Sequence, residues 1–124
     1  MPCIAVGADA IIVSNHGGRQ LDGARSTISV LPEVVAAVGN KTDVLFDGGI
    51  RRGTHIVNAM ALGAKAVLLG RAYAYAVAAD AQRGVSHLLD LLSVEIDVTM
   101  GHIGTRRLVD LVGRTDILRS RKLS

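Results

Sequence analysis

Residues 14–22 read Ser14-Asn15-His16-Gly17-Gly18-Arg19-Gln20-Leu21-Asp22, with an arginine three positions after a histidine. Imidazole is the side chain best matched to taking a proton near neutral pH. A guanidinium holds a carboxylate through two parallel N–H donors. Together His16 and Arg19 fit a substrate with an acidic head and a proton to lose. A single histidine of this kind is often only structural; the neighbouring Arg19 and the glycine loops described next favour the chemical reading.

Two further segments carry a different chemistry. Asp47-Gly48-Gly49-Ile50-Arg51-Arg52-Gly53 and Gly70-Arg71 combine glycines with arginines. Glycine lets backbone approach a ligand and exposes N–H donors. Gly53-Thr54 then opens a helical pattern, whose N-terminus favours an anion. Tight strand-to-helix turns would explain one such glycine pair. Two such loops separated by one helix point to a phosphate site. His55, His87 and His102 receive no chemical role, and no His, Asp or Glu cluster has metal-ligand spacing.

These residues sit between short apolar runs. Gly7-Ala8-Asp9-Ala10-Ile11-Ile12-Val13 is repeated as Gly63-Ala64-Lys65-Ala66-Val67-Leu68-Leu69, and Val44-Leu45-Phe46 is a third run. Short aliphatic runs without alternation read as parallel strands buried on both faces. Helical spacing separates them: Ile28, Leu31, Val34, Val35 and Val38 follow a capping Ser26 or Thr27, and Ile56, Val57 and Met60 follow Thr54. Residues 73–82 and 85–99 form two more helical patterns, the second with Val85, Leu88, Leu89, Leu92 and Ile96 on one face. The order β-α-β-α-β-α-α predicts an α/β fold with a parallel sheet. In such folds functional groups gather at the C-terminal strand ends, and in a (β/α)₈ barrel the last two strand-to-helix loops commonly bind phosphate.

The three segments resemble those of the FMN-dependent 2-hydroxy-acid oxidase and dehydrogenase family, which includes glycolate oxidase, flavin-type L-lactate dehydrogenases and mandelate dehydrogenase. The resemblance runs from about Ala5 to about Leu111, and the nine-residue histidine motif is its most specific part. It implies FMN as cofactor and oxidation of a small 2-hydroxy acid to the 2-oxo acid. It makes His16 the catalytic base and Arg19 the carboxylate ligand. Ser14 would lie against the flavin, and Asp47, Gly48, Gly49, Ile50, Arg51, Gly70 and Arg71 would hold the FMN chain and phosphate. A hydride route and a carbanion route both remain open.

The family's domain is an eight-stranded TIM barrel, and this chain shows three strands, matching the last three. Residues 1–112 therefore read as the C-terminal three βα units of an FMN-binding barrel, a fragment, with 113–124 a basic, flexible tail. Such a piece is expected to self-associate or to join a complementary N-terminal half-barrel, because its inner sheet face is bare. The electron acceptor is not specified by the sequence. Two other readings are a peptide-modifying flavoenzyme of the mycofactocin-maturation type, disfavoured by Arg19, and a non-catalytic half-barrel that binds phosphate or only oligomerises.

Composition limits the alternatives. The 124 residues are 49% apolar and 20% charged, which is globular rather than disordered. A single cysteine, Cys3, leaves no disulfide framework. Three aromatic residues provide no stacking platform for nucleic acid, so no nucleic-acid partner is expected. The net charge of +3 is uneven: residues 1–105 sum to −1 and residues 106–124 to +4. The most apolar stretch, 61–79, is broken by Lys65 and Arg71, and no export signal is evident, so a cytoplasmic location is expected.

Overall fold

The computed structural model describes residues 2–118. A short helix, α1 (Pro2–Ala5), precedes β1 (Ala10–Val13), α2 (Thr27–Val38), β2 (Asp43–Asp47), α3 (Gly53–Ala61), β3 (Ala66–Leu68) and α4 (Arg71–His102). The three strands form one parallel sheet in the order β1-β2-β3. Val13 pairs with Phe46, and Asp47 with Leu68, so the C-terminal ends lie at one level. This register brings the three chemically loaded segments to one rim.

One sheet face is covered. Val13, Val44 and Phe46 form a buried cluster with Leu31 and Val38 of α2 and with Ala59 of α3. The alternate residues face away from the helices: Ile12 is 51% exposed and Leu68 38% exposed. The unbroken aliphatic runs thus match strands meant to be buried on both faces, of which only one is covered here. A second cluster joins Val57 and Met60 of α3 to Met100 of α4 and to Leu111.

The helices differ from their sequence reading in detail. Ser26 occupies the N-cap position of α2 without a capping side-chain bond, and Ile28 is exposed although its spacing places it on the apolar stripe. Thr54 does not cap α3; Arg52 stands at that position, again without a side-chain cap. The helical patterns expected over 73–82 and 85–99 are two arms of α4, broken where Asp80 and Ala81 leave helical geometry. The break precedes Gly84, whose missing Cβ admits the Ala76 carbonyl of the first arm. In the second arm Leu92 is buried while Leu89, expected beside it, is half-exposed.

Part of the expected 113–124 tail lies within the described residues. Thr115–Ile117 form a 3₁₀ turn, and Ile117 packs against the Leu111 cluster. Residues 119–124, with Arg119, Arg121 and Lys122, lie outside the described residues. Arg107 and Arg114 are ion-paired with Asp110 and Asp116. Those guanidinium groups hold both carboxyls below the usual carboxylate range. No helix of the described residues is long and apolar enough to cross a membrane.

Candidate functional site

The rim is built from the strand ends outward. β1 stops at Val13, and Ser14 donates from Oγ to Asp47 Oδ2 at the end of β2, 2.6 Å away. The same Ser14 oxygen accepts the His16 backbone N–H at 3.1 Å. One hydroxyl therefore ties the histidine to the neighbouring strand. His16 itself has φ 55°, in the left-handed region that non-glycine residues rarely enter. Gly17 and Gly18 continue with φ 68° and 74°. Asn15 fixes this turn, accepting the Gly17 N–H through Oδ1 and donating through Nδ2 to the Arg25 carbonyl. Such strain persists only where surrounding contacts impose it, and it is frequent at reactive sites.

The glycines after β2 serve two different needs. At Gly48 (φ 131°) an added Cβ would meet the Thr27 side chain of α2, so glycine there answers to packing. At Gly49 (φ 73°) nothing of the protein stands within 4 Å of that position. Gly70 is equally open and has a negative φ, so neither packing nor left-handed backbone explains it. Gly49 and Gly70 form a cradle that a side chain would fill.

A cavity of about 400 Å³ opens above these strand ends. All ten residues singled out in the sequence line it: Ser14, His16, Arg19, Asp47, Gly48, Gly49, Ile50, Arg51, Gly70 and Arg71. Gly17, Leu68 and Ala74 complete the wall. Ile50 is also buried in the sheet–helix core, so it anchors the loop there. Arg19, Arg51 and Arg71 bring three guanidinium groups to the cavity, and none is ion-paired among the described residues. Open backbone at two glycines, with three cations, is a donor set suited to a phosphate and a carboxylate. Among the described residues no group of three or more His, Cys, Asp or Glu could hold a metal ion.

The N-terminus of α3, expected to take the anion, is already occupied. Glu95 of α4 accepts the Gly53 N–H at 2.6 Å and the Arg52 Nε–H at 2.6 Å. The Gly53 N–H, aided by the Arg52 guanidinium, holds the Glu95 carboxyl below its usual range. Just upstream, His55 Nδ1 accepts the Arg51 N–H at 3.3 Å. His55 and Glu95 are the two residues at this loop that sequence reasoning missed. His55 was legible as a neighbour on the same turn, whereas Glu95 lies 42 positions from Gly53 and carried no local signal.

Known proteins resemble this chain in sequence and fold. An L-lactate oxidase of Nostoc sp. is 55% identical over 108 residues, covering 87% of this chain and 30% of that protein. An L-lactate dehydrogenase of Azorhizobium caulinodans is 53% identical, covering 87% of the chain and 28% of the relative. The crystal structure of a mandelate oxidase with benzoyl-formic acid superposes with a TM-score of 0.87 at 49% identity, covering 91% of this chain and 33% of that one. The chain thus spans about a third of the length of its relatives and corresponds to a part of their barrel. The sequence model of the FMN-dependent dehydrogenases matches residues 1–119, and the chain belongs to that family.

Proposed function

We propose that this chain forms the phosphate-holding and proton-accepting side of an FMN-dependent 2-hydroxy-acid oxidoreductase. The observation that carries the reading is that one cavity is lined together by His16, Arg19, the Gly48-Gly49 loop and Gly70-Arg71. The open cradle at Gly49 and Gly70, with Arg51 and Arg71, suits the FMN phosphate. Arg19, which lines the same cavity, suits a substrate carboxylate, which its planar fork can hold bidentately. His16, on the wall of the same cavity, suits the role of the base that takes a proton from the bound acid. FMN, when bound, supplies the two-electron acceptor for conversion of the 2-hydroxy acid to the 2-oxo acid.

The protein's own contribution is orientation. The Ser14 hydroxyl fixes the His16 backbone relative to Asp47, so the base and the phosphate loop keep a set spacing. Substrates of the L-lactate, glycolate or mandelate type carry the required carboxylate and α-hydroxyl. The test is production of the matching 2-oxo acid from each, with FMN and a dye as electron acceptor. Turnover that needs both FMN and a free carboxylate is expected. Equal turnover of the carboxamide analogue would remove Arg19 from its assigned role, and no turnover of any hydroxy acid would overturn the reading.

A further inference from the structure

The loop between β2 and α3 is pinned at two backbone donors, and the second pin comes from a distant helix. His55 takes the Arg51 N–H and Glu95 takes the Gly53 N–H. Only Arg52 lies between them. Glu95 reaches this position because Gly53 has no side chain: an added Cβ would lie 2.6 Å from both Glu95 Cβ and the Ile96 nitrogen. Glu95 also holds the Arg52 guanidinium. The carboxylate therefore takes the first backbone donor of α3 and the adjacent Arg52 guanidinium, which would otherwise compete for an anion. What stays open is the backbone at Gly49 and Gly70, facing the cavity.

We infer that Glu95 is a positioning residue for phosphate recognition. It denies the α3 N-terminus to the phosphate and fixes Arg51 and Gly49 where the cavity needs them. The inference rests on the FMN reading above and assigns a residue outside the cavity to it. Charge repulsion does not dominate, because the Arg52 guanidinium 2.6 Å away balances the Glu95 carboxylate. Loss of Glu95 loosens the loop that carries Gly49 and Arg51. The looser loop holds the phosphate less well, so affinity for FMN falls relative to riboflavin, which lacks the phosphate.

The test compares FMN with riboflavin, which differ only in the phosphate, by quenching of flavin fluorescence. For the unaltered chain FMN is expected to bind more tightly than riboflavin. Glu95→Ala should reduce that preference by about tenfold or more with riboflavin affinity unchanged. Glu95→Gln, which keeps an acceptor for the Gly53 N–H but no charge for Arg52, should fall between. Should Glu95→Ala not fold, Glu95→Gln alone decides. Equal losses of FMN and riboflavin affinity would mark Glu95 as merely structural and overturn the inference, as would an undiminished preference. No FMN preference in the unaltered chain would overturn this inference and the phosphate assignment together. Preserved FMN preference in both variants would overturn only the role of Glu95.

Discussion

At the residue scale the site depends on His16 being held in an uncommon backbone state. Its N–H is bound by Ser14 Oγ, and Ser14 in turn is bound by Asp47. Ser14→Ala removes both hydrogen bonds, each contributing on the order of 1 kcal/mol. Turnover should fall about tenfold, with KM for the hydroxy acid nearly unchanged, as steady-state kinetics would show. Arg19→Lys keeps the charge and loses the fork. It should raise KM for the hydroxy acid several-fold and leave FMN affinity unaltered; unchanged kinetics would remove Arg19 from the substrate. These residues were legible in the sequence because histidine, arginine and paired glycines fall within short contiguous segments. The bonds that hold them were not, since Ser14 and Asp47 are 33 positions apart.

At the element scale, the least legible feature is how α3 begins. Thr54 has the right type for a cap, yet the capping oxygen comes from Glu95 on α4. A tertiary contact here overrides a local preference. The fold uses Gly53 to bring α4 close, so Gly53→Ala should separate the two helices and destabilise the protein by about 1–3 kcal/mol, measurable in urea. Glu95 also gives a pH signature. Its carboxyl has a depressed value in the folded state. Its stabilisation is therefore complete above the unfolded value of about 4.3 and is lost as pH falls through the lower folded value. Thermal melting of the unaltered chain and of Glu95→Gln should converge over that acidic window and differ at neutral pH. The strands, in contrast, were readable because their aliphatic runs are short and bounded by glycine and polar residues.

At the scale of the whole molecule, the sheet is covered on one side. Ile12 and Leu68 on the far face are exposed, and β1 and β3 each keep an unpaired edge among the described residues. Apolar surface and open edges of this kind drive association. Light scattering of the 124-residue chain should report species larger than a monomer, and Ile12→Lys should shift them toward monomer. A monomer at all concentrations would contradict this expectation. The central claim is that three strand ends make one flavin and hydroxy-acid site. Its most direct measurement is the visible absorption spectrum of the FMN-loaded protein under anaerobic addition of L-lactate, glycolate or mandelate. Bleaching of the flavin band by at least one of them, lost in His16→Gln with FMN still bound, is the predicted result. A flavin band that no hydroxy acid bleaches, or that His16→Gln bleaches equally fast, would contradict it.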